Sequence, residues 1–450
     1  MSVDLKTTSG GFARIPASPR AVFVGIDWAT RAHEVCALDE AGSILGRHEF
    51  PNTPEGLEAL VGWIRDRAGG QGAAIVVAIE RPDGLVVEAL LDHEIAVSTI
   101  NPKQLDRFRD RFTPAGAKDY RRDARVLADA LRTDRRAFRR VRADPPEIVA
   151  LRGLVREDDA LRIEETTLSH RLRDLLGRYH PRLLELAADR VDPLLWDLWE
   201  LAPTPGAAGA VSRRAVGAAL RRHRIRRLDT EAVMRALTAP APRVAEATVT
   251  MAEQAVRRLL PRLRLAHAQR QECGHRIDEL LKGLEAPRAG GSGQPTDAAI
   301  LRSLPGVGRV VAARVLTEGA EAIRQRDLTR LRTLGGSAPV TKRSGKACRV
   351  AMRRACSGRL RYAYYHWART AVQNDPRSHE HYAALRGRGQ SHGRALRGVV
   401  DRLLAVAVAM LRSGTLYDPA LRSAPVGPAE GVGTPRRAGP GAAAAVGAGT

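Results

Sequence analysis

The stretch Ala21-Val22-Phe23-Val24-Gly25-Ile26 is apolar or small throughout and stops at a single acid, Asp27. A short apolar run bounded by a break reads as a strand buried on both faces. A carboxylate at the end of such a strand is costly unless something pairs with it. In an α/β enzyme that cuts nucleic acid, the usual partner is a divalent metal. An acid at a strand end can also cap a turn, so on its own the stretch admits both readings.

The charge of the chain bears on that choice. It has 450 residues with 73 basic against 50 acidic side chains, a net charge of +23. Only Lys6, Lys103, Lys118, Lys282, Lys342 and Lys346 are lysines; the remaining basic residues are arginine. Such a surplus draws a protein to a polyanion, DNA or RNA before a membrane surface. No run of 18 apolar residues is present, and Met1–Arg20 lacks an apolar signal core, which points to the cytoplasm. Cys36, Cys273, Cys348 and Cys356 form no Cys-x-x-Cys pair. They read as reduced core thiols rather than a zinc site.

Taken in order, the chain opens on a polar, Gly/Pro/Ser-punctuated flexible leader over 1–20. After the Asp27 strand, 33–39 and 44–50 read as two more strands around the turn Glu40-Ala41-Gly42-Ser43. Asn52 or Thr53 can cap a helix running to Arg67, with Leu57, Leu60, Val61 and Ile64 at helical spacing. A strand over 73–79 follows and also ends in an acid, Glu80. Helix 85–93, strand 95–100, helix 102–112 and a helix from about 118 to 132 complete the segment. The last helix carries Asp119 and Asp123 one turn apart on one face. Acids at a helix start also favour the helix dipole without any metal. Four carboxylates converging on one point could not coexist without cations between them.

Residues 151–290 show helical patterns with arginine and glutamate on the polar faces, including 151–176, 183–199, 213–223, 230–237 and 244–284. They read as a helical arm, a coiled coil suited to dimerisation. A Gly-rich linker at 289–295 leads into a further domain over 291–420. There Leu304-Pro305-Gly306-Val307-Gly308 reads as a turn between two helices. Gly306 and Gly308 would let the backbone and free helix amides approach a phosphate, though a plain helix–helix turn has the same form. Val340-Thr341-Lys342-Arg343-Ser344-Gly345-Lys346 opens a strongly basic segment interleaved with Tyr362, Tyr364, Tyr365 and Trp367. Helices are expected over 365–372 and 394–411, and 421–450 is Ala/Gly/Pro-rich, a disordered tail.

The order three strands, helix, strand, helix, strand, helix, helix resembles the RNase H-like fold and its RuvC-like branch. Gly25-Ile26-Asp27, Ile79-Glu80-Arg81-Pro82-Asp83-Gly84, Ile100-Asn101-Pro102 and Lys118–Ala124 resemble the RuvC-like DEDD domain of the IS-one-ten family of insertion-sequence transposases. Leu304–Gly308 and Ala338–Gly345 resemble that family's C-terminal transposase domain. The resemblance implies an α/β RNase H-like domain over 21–150, the helical arm, and a mainly α C-terminal domain with a helix-hairpin-helix element. It also implies a DNA recombinase that excises and inserts a mobile element, acts as a homo-oligomer, and uses a bridge RNA to choose its DNA partners. Carried over by position, Asp27, Glu80 and Asp123 hold Mg²⁺ or Mn²⁺, and Ser344 is the nucleophile. The family's helix motif has its two acids three apart, which would place one at 120, but position 120 is Tyr120. Asp119 stands beside it as the substitute.

On that basis Ser344 would attack the phosphate, and Lys342, Arg343 and Lys346 would hold the DNA backbone near it. Arg-Ser-Gly-Lys is equally the composition of a basic surface turn. Two other functions fit the same residues. One is a junction nuclease that uses the acids and water. The other is a degenerate transposase that binds nucleic acid without cutting, which Tyr120 favours.

Overall fold

In the computed structural model the apolar stretch is strand β1 (Ala21–Asp27), buried from Ala21 to Ile26. The structure describes residues 21–69, 74–112, 119–187, 192–240, 243–287, 293–345 and 347–420. The leader, the tail, Lys346 and residues 289–292 of the linker lie outside them. The described residues fall into two units, divided between Asp144 and Pro145.

In the first unit β2 (Ala32–Leu38) and β3 (Ile44–Pro51) form a meander with β1. Helix α1 (Pro54–Ala68) begins where the Thr53 hydroxyl accepts from the Gly56 amide at 3.2 Å. Strand β4 (Ala74–Ile79), α2 (Leu85–Asp92), β5 (Ala96–Thr99), α3 (Pro102–Arg109) and α4 (Tyr120–Thr133) follow. A short β6 (Arg139–Arg140), not expected from the sequence, pairs antiparallel with β5. The sheet order is β3-β2-β1-β4-β5-β6, with β1, β4 and β5 parallel. Side chains alternate across a strand. Val22, Val24 and Ile26 therefore pack with α1 and α2, and Ala21 and Phe23 with α3 and α4.

The second unit is mainly helical. Helices α5 (Pro146–Tyr179) and α10 (Glu246–Glu285) pair within the same chain. Glu165 links them through His267 at 2.7 Å and Arg270 at 2.6 Å. At one end they enclose Leu168, Leu172, Val256 and Leu263 together with α6 (Pro181–Glu185), α7 (Pro193–Leu201), α8 (Arg213–Arg222) and α9 (Thr230–Thr238). The helix expected over 183–199 is two helices, because Pro193 starts α7 behind an Asp192 cap.

At the other end Leu151, Leu154, Cys273 and Ile277 share one core with the C-terminal helices. These are α11 (Asp297–Ser303), α12 (Arg309–Glu318), α13 (Ala320–Arg324), α14 (Leu328–Gly335), α15 (Gly358–Asn374), α16 (Pro376–Gly387) and α17 (His392–Ser413). Between α14 and α15 stands a hairpin, β7 (Val340–Ser344) and β8 (Ala347–Ala351), in a segment whose polar sequence carries no strand signal. Cys348, on β8, is exposed rather than a core thiol. No described helix is long and apolar enough to cross a membrane.

Candidate functional site

Asp27 and Glu80 meet because their strands do. β1 and β4 run parallel with Ile26 opposite Ile79, so the next residue on each is an acid. Neighbouring strands lie about 4.8 Å apart, and alternation puts both carboxylates on the side of the sheet that carries α4. Gly25 decides how close α4 comes. A Cβ there would stand 1.9 Å from the Ala124 carbonyl oxygen and 2.5 Å from the Ala128 nitrogen. Glycine lets the helix backbone lie directly on β1. Asp123, one residue before Ala124, is thereby brought to the sheet and is 2 % exposed.

A residue that sequence reasoning did not single out holds this cluster. Arg109, the last residue of α3, donates from Nε to Asp123 Oδ1 at 2.8 Å and from Nη2 to Asp123 Oδ2 at 3.1 Å. Its Nη2 also lies 3.9 Å from Glu80 Oε2, and its Nη1 binds Asp106. Burial opposes the guanidinium charge, but Asp123 and Asp106 outweigh it and hold the pKa above its ordinary value. Carboxylates are the donors a hard divalent cation takes. Here one cationic group already stands between two of them. Among the described residues, no group of three or more His, Cys, Asp or Glu side chains is disposed to hold a metal ion together. Glu80 and Asp123 are donors of the type a hard divalent cation takes, and the guanidinium lies between them.

Asp119 sits differently. It is exposed, and its Oδ1 accepts from the Arg121 amide at 3.1 Å as the N-cap of α4. Tyr120, the first residue of that helix, is 58 % exposed. A further acid appears on the other side of β1, where Glu34 is the register partner of Asp27 and Glu49 that of Glu34. Burial raises the Glu34 pKa, the Arg121 charge opposes this, and Glu49 adds to it. Arg121 Nε lies 3.6 Å from Glu34. Only the strand register identifies Glu34. The loops after β1 and β4 are joined by Arg81, whose guanidinium lies 4.4 Å above the Trp28 ring and pairs with Asp83 at 3.2 Å.

Ser344 belongs to the second unit. It ends β7, exposed, opposite Ala347. Gly345, which follows Ser344, has a positive φ of +53° that glycine adopts without strain. Lys342 shares the Ser344 face, and its register partner is Arg349. Like charges directly opposite one another destabilise a hairpin unless an anion lies over them. Arg343 points to the other face.

Gly306 and Gly308 part company. Gly306 has φ +79°, and a Cβ there would lie 2.7 Å from the Ala371 nitrogen, so its close approach is to the backbone of α15. Trp367 seals that contact by donating to the Pro305 carbonyl at 2.9 Å. Gly308 is exposed at the N-cap of α12 with open space around it.

Comparison with known proteins matches two family models. One, of the IS110 DEDD type and described as "Transposase", covers residues 24–181. The other, described as "Transposase IS116/IS110/IS902 family", covers 298–383. The chain is 44 % identical to "Putative transposase y4uE" of Sinorhizobium fredii over 47 % of its own length, spanning 59 % of that relative. It is 31 % identical to "Mini-circle putative transposase for IS117" of Streptomyces coelicolor, over 90 % of this chain and 97 % of the relative. It is 28 % identical to "Insertion element IS110 uncharacterized 43.6 kDa protein" of the same organism, over 88 % and 95 %.

Proposed function

The chain belongs to the IS110 family of insertion-sequence transposases, and on that premise we propose that it cuts and rejoins DNA through Ser344. In this reading the Ser344 hydroxyl gives up its proton and its Oγ attacks phosphorus. The bond to a deoxyribose oxygen breaks, that oxygen takes up a proton, and the phosphoryl group stays on serine until strand exchange reverses the step. No external energy source is needed. Lys342, with Arg349 opposite it, holds the DNA backbone on the serine's face of the hairpin, Arg343 holds it from the other face, and Lys346 lies outside the described residues.

Asp27, Glu80 and Asp123 would hold Mg²⁺ or Mn²⁺, with Asp119 as a further ligand. Such an ion supplies neutralisation of the non-bridging phosphate oxygens. The sheet order and the antiparallel β2 support an RNase H-like, RuvC-like assignment for the first unit. The turn before Gly308 supports a helix-hairpin-helix element that touches phosphate, with Gly306 shaping it. The net charge of +23 supports a bound bridge RNA alongside DNA in a cytoplasmic homo-oligomer, a dimer or tetramer.

The observation that carries the serine reading is the exposed Ser344 on a hairpin face where Lys342 and Arg349 oppose each other. The test is to mix the protein with labelled element-end DNA and Mg²⁺, denature it, and look for label migrating with protein. The parent should form this adduct and Ser344→Ala should not. Cleavage by Ser344→Ala at the parental rate would promote a nuclease that activates water. Tyr120 favours a second reading, a protein that binds nucleic acid without cutting. Any cleavage lost in Asp27→Asn and Glu80→Gln excludes it.

A further inference from the structure

A cavity lies at the root of the hairpin, among α14, α15 and α17, and the chemistry above does not use it. Its volume is ≈ 400 Å³, inside the range of about 300–1,000 Å³ typical of small-molecule sites. One wall is bare backbone. Gly335 and Gly336 end α14, and Gly336 has φ +73°. A Cβ on Gly335 would come within 2.0 Å of the Tyr364 ring, and one on Gly336 within 2.9 Å of Cys356 Sγ. The missing side chains are what let Tyr364 and Cys356 pack against the end of α14 and close that wall.

The four aromatic residues of the basic segment divide around this cavity. Tyr364 and Trp367 are core residues, 3 % and 0 % exposed. The Tyr362 ring is covered by the guanidinium groups of Arg314 and Arg162, at 4.8 and 5.3 Å. Tyr365 has an edge-on contact with the His366 ring, is 42 % exposed, and lines the cavity together with Met352.

Charge at the cavity is one-sided. Arg361 and Arg397 line it, and no acid is among the described residues that do. Arg361 is anchored by donating to the carbonyls of Arg353 and Arg354, which fixes its position without neutralising it. Burial, with Arg394 and Arg361 nearby, lowers the Arg397 pKa. Arginines elsewhere in the same core have carboxylate partners: Arg332 pairs with Asp401 at 2.6 Å, and Arg314 with Asp159. An apolar slot with a half-exposed tyrosine and two arginines that have no carboxylate partner among the described residues is complementary to a base with its phosphate.

The hairpin relates this slot to Ser344. Both Ser337, just before β7, and Met352, just after β8, line the cavity. Four residue steps from Val340 to Ser344 span about 14 Å at a strand rise of about 3.4 Å. That is about four nucleotides at a rise of about 3.4 Å each. We propose that the cavity receives one unpaired nucleotide of the DNA strand attacked at Ser344, its base on Tyr365 and its phosphate held by Arg361 and Arg397. The identity of that strand rests on the serine reading; the recognition of a nucleotide does not.

The experiment uses the full-length protein and element-end duplexes in which one 4-thiothymidine is either unpaired or paired, with RNA duplexes of the same sequence alongside. After irradiation the cross-linked peptide is mapped, and covalent adduct at Ser344 is scored on the same DNA. The expected result is a cross-link to Tyr365 or Met352 from the unpaired DNA nucleotide only. Its yield should fall at least tenfold in Arg397→Gln and in Tyr365→Leu, while both variants melt like the parent and bind the paired duplex within twofold. Adduct formation without a cavity cross-link overturns the cavity alone. A cavity cross-link without adduct overturns the serine reading and leaves the cavity standing. A cross-link from RNA but not DNA, or equal yield in all variants, also overturns the proposal.

Discussion

Arg109 grips both oxygens of Asp123, Nε to Oδ1 at 2.8 Å and Nη2 to Oδ2 at 3.1 Å, while the same Nη2 lies 3.9 Å from Glu80. Two acids that converge at the sheet end thus share one guanidinium of the chain itself. A divalent cation would compete with this guanidinium for the same oxygens. Arg109→Gln should lose about 3 kcal/mol in metal-free buffer, because it strands a buried carboxylate. Added Mn²⁺ should then raise its melting temperature more than it raises the parent's. Equal rises would show that the arginine and the cation do not compete.

Gly25 sets the distance between sheet and helix. Gly25→Ala places a methyl 1.9 Å from the Ala124 carbonyl oxygen, and backbone cannot rotate away as a side chain can. The change should destabilise the first unit by about 3 kcal/mol, at the upper end of overpacking effects. Urea unfolding of the variant within 0.5 kcal/mol of the parent, on the scale of a neutral surface change, would contradict this packing.

Asp119 caps α4, and that role can be separated from metal binding. Asparagine caps as well as aspartate, whereas alanine costs about 1 kcal/mol. Asp119→Asn should therefore melt like the parent and Asp119→Ala below it. If Asp119 is also a ligand, Asp119→Asn should lose cleavage without losing stability. Unchanged cleavage in the asparagine variant would leave Asp119 as a cap alone.

Asp197 ties the far end of the arm together. It accepts from Arg222, His223 and Arg264, each at 2.8 Å, and its side chain is 7 % exposed. Burial pushes its pKa up, but the hydrogen bonds of His223, Arg264 and Arg222 win and lower it. A carboxylate lowered in the folded state stabilises at every pH above its unfolded value of about 3.9. That stability is lost as pH falls through the folded value. Thermal melts should show an acid loss below about pH 4 that is absent in Asp197→Asn, which should itself be about 3 kcal/mol less stable at neutral pH. The same acid loss in the variant would assign it to other carboxylates.

Several features were legible because they depend on neighbours in sequence. The strands at 21–27 and 74–79 announced themselves as apolar runs that end at an acid, and the one from Ile44 by its place after the turn at 40–43. Thr53 marked a helix start by cap chemistry, and the arm's helices showed their period. The hairpin carrying Ser344 did not, because an exposed two-stranded element has no buried face to impose alternation. Tyr362 and Tyr365 looked like Tyr364 and Trp367 in one dimension, and only packing sorted exposed rings from core ones.

The sequence by itself determined which strands end in acids, that a helix follows Lys118, and that the chain carries charge enough to seek a polyanion; the structure starts that helix at Tyr120 and leaves Asp119 outside it as the cap. Those are local or additive properties. Tertiary structure alone decided that Glu34 stands opposite Asp27, that Arg109 reaches from α3 to Asp123, and that α10 is the partner of α5 in the same chain. Each is a contact set by strand register, by the closeness that Gly25 permits, or by which apolar faces find one another. Such contacts join residues whose separation along the chain carries no periodic signal.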